Sequence, residues 1–404
     1  MSCRFLLVSL IVGLFSLCSG ATSIHTPVNR LAGLSVHQTT LTSPVAINRL
    51  VREASTSDFT TLIVEIPGVT RSSPGKRVRQ PSSDFDGLQT LLTVAHRANL
   101  RVYAWIQSTL VTQAGTLPTS SSHFIRRHPE WLMVPRNLAT QIDRIDLNSP
   151  AYLGILDRWA RQNPDEVNGL YLSPIIPEAA SEVVEGLAEI LTRYPFDGVH
   201  LDSVQLPGSD FDYNSDVVAL FRDNTAPSLT NEEQRSLDAR ATIDPLTYPD
   251  TFPRQWSRFR RSRVTAFVAR LSSIVRQYRP DALVSVSVVA NPDEALGRHL
   301  QDWLAWAEIG FVDIVCLQPG FEGPEDFEYQ LRSAQRLAGL AEIWVGIGAR
   351  WLSPAETFSR IRIARRFSPN KIMFWSYEDL IDPAQHPPGH LQQIGLALAA
   401  LPLR

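Results

Sequence analysis

The sequence predicts an α/β protein that folds as one (β/α)8 barrel. Eight apolar, strand-like runs alternate with amphipathic helical patterns along the chain, which is typical of parallel sheets covered by helices. The 404 residues include 44% hydrophobic and 20% charged side chains, enough for one large core. A doubly wound open sheet is the alternative. No glycine-rich phosphate loop follows the first strand, which disfavours a nucleotide-binding version of that fold.

The elements follow one another at regular intervals. Strands are predicted at 31–37, 61–66, 101–107, 198–202, 283–289, 312–318, 343–347 and 371–376. Helices are predicted at 46–54, 85–98, 177–194, 256–278, 300–307, 325–338, 354–367 and 391–401. Ser353 and Glu356 form a capping-box signature at the start of one helix. A less regular segment, 108–150, contains a strand-like piece at 142–147, and residues 207–254 read as a long polar insertion with a loop character.

The amino terminus has the pattern of an export signal. Arg4 precedes an apolar run, 5–17, that is too short to span a bilayer with ease, and small residues follow at 18–21. We therefore expect a signal peptide at 1–20 and a single barrel domain at 21–404. The alternative is a lipoprotein anchored through Cys18, although Leu17 is large for that motif. The expected location is secreted, periplasmic or cell-envelope associated.

Net charge and cysteine content limit the kinds of partner and ligand that we expect for this protein. The net charge is −3 and no basic stripe is present, so we expect no nucleic-acid partner and no membrane span in the mature chain. Cleavage of the signal would leave only Cys316, which lies in an apolar run and is interpreted as a buried hydrophobe. The spacing of Cys and His residues indicates no metal site, and no cofactor is expected. The sequence carries no signal of oligomeric state.

The predicted strand ends carry the polar side chains of interest. In a barrel of parallel strands these ends converge on one mouth, where active sites lie. The residues at or just after these ends are His37, Glu65, Gln107, Asp202, Asn291, Gln318, Trp375 and Tyr377. The amide, imidazole and aromatic side chains among them suit contacts to sugar hydroxyls and sugar faces, and Tyr213 on the loop after Asp202 is a further candidate.

Asp202 is the first candidate for catalysis, because it ends an apolar strand and precedes a long irregular loop. A pair of carboxyl groups is the usual machinery of glycoside hydrolysis. Glu65, on a strand where an unpaired acid is costly, and Asp210 are the candidate partners. The alternatives are a turn-capping or arginine-paired role for Asp202 and an ion pair of Glu65 with Arg101 or another strand-end base. Asp197, at the start of the same strand as Asp202, is interpreted as architecture.

Several motifs resemble one family. The block FDGVHLDSVQLPGSDFDYN resembles the DGIHxDxxxYP…DFxYN signature of the glycosyl-hydrolase-like family 10. WSRFRRSRVTAFVARLSSIVRQYRPDALVSVSV, DWLAWAEIGFVDIVCLQPGF, IWVGIGARWLSPAETFSRIRIAR and IMFWSYEDL are similar to further pieces of it, in order, across about 30–380. The resemblance implies a (β/α)8 barrel and an exported enzyme acting on polysaccharide or oligosaccharide. Some members cleave the glycan strands of peptidoglycan.

The block departs from the family pattern next to the acid. Ser203 stands where many members carry an acid or an aromatic residue, Gln205 replaces an arginine, and Leu206 replaces a tyrosine. These replacements remove polar and aromatic groups that could contact substrate. A carbohydrate-binding barrel without catalysis is therefore the main alternative to a glycoside hydrolase, and a partner-binding envelope protein is a third.

Overall fold

The computed structural model describes residues 32–66, 85–121, 123–319, 323–337 and 341–400. Its strands are β1 Ala32–Val36, β2 Phe59–Glu65, β3 Arg101–Gln107, β4 Leu110–Gln113, β5 Gly169–Tyr171, β6 Gly198–Asp202, β7 Leu283–Val289, β8 Ile314–Gln318, β9 Glu342–Gly348 and β10 Lys371–Trp375. Eight parallel strands close in the order β1-β10-β9-β8-β7-β6-β3-β2, and β4 pairs with β5 in a small antiparallel sheet. The predicted (β/α)8 barrel is confirmed.

The helices between these strands cover the outside of the barrel. They are α1 Pro44–Thr56, α2 Gly87–Arg97, α3 Phe124–Arg127, α4 Ala139–Ile142, α5 Pro150–Gln162, α6 Pro177–Arg193, α7 Ser215–Thr225, α8 Asn231–Ala241, α9 Thr247–Thr251, α10 Pro253–Tyr278, α11 Pro292–Gly297, α12 Trp303–Ile309, α13 Pro324–Leu337, α14 Pro354–Arg366, α15 Tyr377–Ile381 and α16 His390–Ala400. Ser353 and Glu356 form the predicted capping box at α14. None of the helices in the described ranges is both long and apolar enough to cross a membrane.

Side chains alternate between two cores, because successive residues of a strand point to opposite faces. Outward-facing residues such as Leu62, Val64 and Ile106 pack under the helices in the larger core. The barrel interior holds a separate apolar cluster of Ile63, Tyr103, Trp105, Ile314, Cys316, Trp344 and Met373. Cys316 is fully buried there, as predicted, and burial raises the pKa of its thiol. Glu65, Asp202 and His200 lie at alternating strand positions that face the same way as these interior residues, so their side chains point inward.

At the end of the barrel opposite the mouth, the carboxylate of Asp197 has a structural role. Asp197 accepts a hydrogen bond from the backbone amide of Val102 at 2.7 Å, and its Oδ2 lies 2.8 Å from His96 Nε2. These contacts tie the start of β6 to β3 and α2. The interpretation of Asp197 as an architectural residue is confirmed.

Two expectations about irregular segments were wrong. Residues 142–147 were predicted as strand-like. Instead, the short helix α4 ends at Ile142 and the chain continues as turns, because the backbone amide of Ile145 donates to the carbonyl of Ile142. The insertion at 207–254 is not a long loop, since it contains α7, α8 and α9. Thr230 and Glu233 form a capping box at α8, and Asn214 caps α7. The predicted signal peptide at 1–20 lies outside the described residues.

Two glycines allow a direct test of interior packing. A Cβ at Gly198 in β6 would lie 2.5 Å from the ring of Tyr103, whereas a Cβ at Gly154 in α5 would meet nothing within 4 Å. We predict that Gly198→Ala lowers the free energy of unfolding by about 1–3 kcal/mol through overpacking. Gly154→Ala should raise it by roughly 0.4–1 kcal/mol by restricting the unfolded chain. Urea unfolding measures both, and equal effects would contradict the packing argument.

Candidate active site

Trp105 is the central side chain at the mouth of the barrel. Its Cα pairs in register with Glu65 on one neighbouring strand and with His200 on the other. Its indole ring contacts the imidazole of His37 at 5.5 Å and the ring of Trp375 at 5.6 Å between centroids. The two strand-end acids, Glu65 and Asp202, therefore lie on strands at either side of this tryptophan.

Asp202 ends β6 and is held by donors that carry no formal charge. The indole Nε1 of Trp105 donates to Asp202 Oδ2 at 3.0 Å, and the backbone amide of Ser203 donates to Oδ1 at 2.8 Å. The carboxyl group is partly buried, and no arginine is paired with it among the described residues. Burial raises the pKa of Asp202 above its ordinary value, and these donors together with Ser287 act in the opposite direction.

Glu65 has the opposite electrostatic environment. Its Oε2 lies 2.9 Å from His37 Nδ1, with 26% of the Glu65 side chain and 39% of the His37 side chain exposed. The hydrogen bond to His37 lowers the pKa of Glu65, and the same bond raises the pKa of His37. Of the partners weighed for Glu65, Arg101 or another strand-end base, the structure shows a strand-end base, His37. The pKa values of the two acids are therefore shifted in opposite directions, that of Glu65 downward and that of Asp202 upward.

A buried polar network lies below Asp202. His200 is fully buried, and its two ring nitrogens each lie 2.8 Å from a serine hydroxyl, Nδ1 from Ser285 and Nε2 from Ser287. Gln318 Nε2 donates to Ser287 Oγ at 3.1 Å. Burial lowers the pKa of His200 to about 3, so the imidazole is neutral at physiological pH. Ser287 also acts to lower the pKa of Asp202, so the network extends to that carboxyl group.

Trp375 forms part of the apolar floor beside this network. Its ring lies 5.4 Å from that of His200, and it is partly exposed at the mouth. A Cβ at Gly346 would come within 2.9 Å of Trp375 Nε1 and 3.1 Å of Gln318 Oε1, so the glycine leaves room for both side chains. Gln107 pairs in register with Asp202 and is also partly buried. His37 thus contacts Glu65 and Gln107 pairs in register with Asp202, while Gln318 and Trp375 contact the network below Asp202.

Two predicted sugar contacts require correction. The Asn291 side-chain oxygen caps α11, accepting from the backbone amides of Asp293 and Glu294 at 3.0 and 3.3 Å. Tyr377 is buried, and its hydroxyl donates to Glu53 on α1 at 2.8 Å. Both residues follow strand ends in sequence, but their side chains are used for a helix cap and for packing against the outer helices.

The loop after Asp202 is bound to α10. Arg260 of α10 is buried, donates to the carbonyl of Ser209 at 2.8 Å and also donates to that of Phe211. Asp210 is exposed, and its backbone carbonyl accepts from Arg136. Asp212 is buried against Ser173, with Oδ2 and Oγ 2.6 Å apart, and burial raises its pKa to about 7. The structure thus brings Glu65, not Asp210, beside the side chains that hold Asp202.

Tyr213 belongs to this loop rather than to the barrel mouth. It is buried, and the guanidinium groups of Arg136 and Arg260 each lie 5.2 Å from its ring centroid. It also lines a pocket of about 280 Å³ between the segment 139–152 and the insertion, a pocket that includes neither Asp202 nor Glu65. The expected position of Tyr213 beside Asp202 and Glu65, for contact with a sugar, is therefore corrected.

Sequence reasoning missed Trp105, His200, Ser285 and Ser287 as site residues. A signal for them was present, because His200 precedes Asp202 by two positions and the serines alternate in LVSVSVV. Residues two apart on a strand share a face. Within the described ranges, no three His, Cys, Asp or Glu side chains gather closely enough to ligate a metal ion.

The hydrogen bond between Trp105 and Asp202 can be tested directly. We predict that Trp105→Phe, which keeps an aromatic ring but removes the donor, raises the pKa of Asp202. Carbon-13 NMR titration, with Asp202→Asn to assign the carboxyl signal, measures the change. Trp344→Phe is the matched control, because Trp344 lies in the same interior and its indole donates to Glu342 at 3.2 Å. An unchanged or lowered pKa in Trp105→Phe would contradict the assigned role of the indole.

Solved structures with this architecture include several glycosidases. The chain superposes on the glycoside hydrolase domain of PgaB (BpsB) from Bordetella bronchiseptica with a TM-score of 0.57 and 14% identity, covering 90% of this chain and 98% of that one. The catalytic domain of β-amylase from Paenibacillus polymyxa gives a TM-score of 0.55 and 10% identity, with 92% and 98% coverage. At these identities the likeness concerns the fold alone.

Sequence comparison gives more specific relatives. Glycosyl hydrolase YngK of Bacillus subtilis (strain 168) is 24% identical over 228 residues, 55% of this chain and 31% of YngK. Glycosyl hydrolase DigH of Escherichia coli (strain K12) is 24% identical over 298 residues, 69% of this chain and 54% of DigH. The chain thus spans about half or less of these relatives. The family model described as "Glycosyl hydrolase-like 10" matches residues 69–323, more than half of the 404-residue chain. The chain therefore belongs to the glycosyl hydrolase-like 10 family.

Proposed function

We propose that this protein is a glycoside hydrolase that cleaves glycosidic bonds of a polysaccharide by paired carboxyl catalysis. The observation that carries the proposal is the opposite shift of two acids beside Trp105: burial raises the pKa of Asp202, while His37 lowers that of Glu65. One acid that holds a proton and one that stays ionised is the combination that glycoside hydrolysis needs. Family membership supports the same reaction class.

Each acid has a defined task in this proposal. Asp202 donates its proton to the glycosidic oxygen as the bond to the leaving sugar breaks, and the donors around it stabilise the carboxylate that remains. Glu65, kept ionised by His37, faces the developing positive charge on the sugar ring. It acts either as the nucleophile or as the base that activates water. Gln107, Gln318 and Trp375 are positioned for contacts to hydroxyls and to a sugar face.

The finer features of the function are also proposals. The pattern at residues 1–20 supports export, so the enzyme would meet envelope polysaccharide. Glycan strands of peptidoglycan are the first substrate to test, because the family resemblance points to them. A non-catalytic carbohydrate-binding barrel is the second candidate. It is favoured by Leu206, which is buried in the core where the family pattern places a tyrosine.

Substitution of the acids separates these candidates. We predict that Asp202→Asn and Glu65→Gln each reduce the release of reducing ends from isolated peptidoglycan glycan strands by at least about 100-fold, the usual contribution of an acid or base catalyst. Asp210→Asn is the matched control, since this exposed carboxyl should leave the rate near that of the wild type. Wild-type rates in Asp202→Asn would remove Asp202 from the mechanism. Binding without cleavage by the wild-type protein would favour the non-catalytic barrel.

The pH dependence of activity follows from the opposite shifts in the pKa values of Asp202 and Glu65. Activity requires protonated Asp202 and ionised Glu65, so kcat/KM should be bell-shaped, falling on the acid side as Glu65 gains a proton and on the alkaline side as Asp202 loses one. His37→Gln should move only the acid limb, toward higher pH, because the pKa of Glu65 is then no longer lowered by His37. Rates measured across buffers of constant ionic strength test this. A shift of the alkaline limb instead would reverse the assignment of the two acids.

A further inference from the structure

Trp351 differs from every other tryptophan of this protein in its exposure. All nine tryptophans lie within the described residues, and Trp351 is the one in the exposed class, with 61% of its surface accessible. Trp256, Trp303, Trp306 and Trp344 are each at most 2% exposed. Leaving so much aromatic surface in water forgoes the stabilisation that burial would provide. An exposed tryptophan of this kind is therefore a candidate for a contact with a ligand.

Trp351 lies at the end of the barrel that forms the mouth. It lies three residues after β9, at the carboxyl ends of the parallel strands, where the acids also lie. In the closed sheet β9 is three strands from β6, which carries Asp202, and three strands from β2, which carries Glu65. Trp375, on the floor, pairs in register with Gly348 at the end of β9. Trp351 therefore lies at the end of the barrel that carries the acids, three strands around the sheet from each of them.

The turn that carries Trp351 is fixed by hydrogen bonds. Residues 349–351 form one turn of 3-10 helix, closed by the Leu352 amide on the Ala349 carbonyl at 3.2 Å. The same carbonyl lies 3.2 Å from Nε2 of the buried His386. Ser353 then caps α14. Because the backbone is already ordered, binding a ligand on this ring costs little conformational entropy.

We propose that Trp351 is a stacking platform for a sugar ring bound outside the catalytic acids, and that only oligosaccharides long enough to cross the mouth reach it. This proposal rests on the proposed glycosidase function. A sugar fits the surroundings better than a protein partner does, because Trp351 is flanked by exposed Arg350 and Ser353 rather than by an apolar patch. A pyranose ring presents both an apolar face and polar hydroxyls, which matches a single aromatic ring in polar surroundings.

The test uses peptidoglycan glycan strands sorted by length, with their shortest cleavable fragment as reference. We expect Trp351→Ala to raise KM about three- to tenfold for long strands, as expected for loss of one aromatic contact, while kcat and the kinetics on the shortest fragment stay at wild-type values. Trp351→Phe should restore most of the affinity. Tyr329→Ala is the matched control, since Tyr329 is 64% exposed on the outer helix α13 and should be without effect.

The outcomes separate this proposal from the one on which it rests. An unchanged KM for long strands in Trp351→Ala, with an active wild-type enzyme, overturns the platform and leaves the glycosidase intact. Equal losses on the shortest fragment and on long strands also overturn it, because Trp351 would then act at the catalytic acids. A wild-type protein that neither cleaves nor is retarded by these strands in affinity electrophoresis refutes both proposals for this glycan.

Discussion

The hydrogen bond from the Trp105 indole to Asp202 is the interaction on which the site depends. It fixes an acid at the end of β6 to a ring that fills the barrel between His37 and Trp375. The ring is itself 8% exposed and packed in the interior cluster, so it has little freedom to rotate. Glu65 pairs in register with Trp105 on the neighbouring strand, so both acids are placed relative to the same residue. Sites on rigid strands hold such geometry better than sites on loops.

The neutral state of His200 is the second requirement. A cationic imidazole beneath Asp202 would stabilise the carboxylate and lower the pKa of the acid. Full burial instead lowers the pKa of His200 to about 3, and the hydroxyls of Ser285 and Ser287 satisfy both ring nitrogens without adding charge. The protein thus fills the barrel interior with hydrogen-bonding groups while leaving Asp202 without a positive neighbour below it. This arrangement supports the proposed role of Asp202 as the proton donor.

The sequence predicted the barrel and the strand-end positions of residues better than it predicted the contacts of each side chain. Strand ends are visible as apolar runs followed by polar residues, which was enough to find Glu65, Asp202 and Gln107. It was not enough for Asn291 and Tyr377, because the direction of a side chain after a strand depends on the turn that follows. In the insertion, α8 was missed because Leu237 is its one large apolar residue, although the capping box of Thr230 and Glu233 was readable.

The insertion explains why the loop acids are not at the barrel mouth. Arg260 binds the carbonyls of Ser209 and Phe211 and stacks 4.6 Å from the ring centroid of Trp256, so the loop is fastened to α10. Between these two carbonyls the chain turns Asp210 outward, while Asp212 is drawn inward to Ser173. Burying an arginine in this way is favourable only when its donors are satisfied, and the backbone carbonyls meet part of that need. The proposed mechanism therefore uses the two acids on the strands, Asp202 and Glu65.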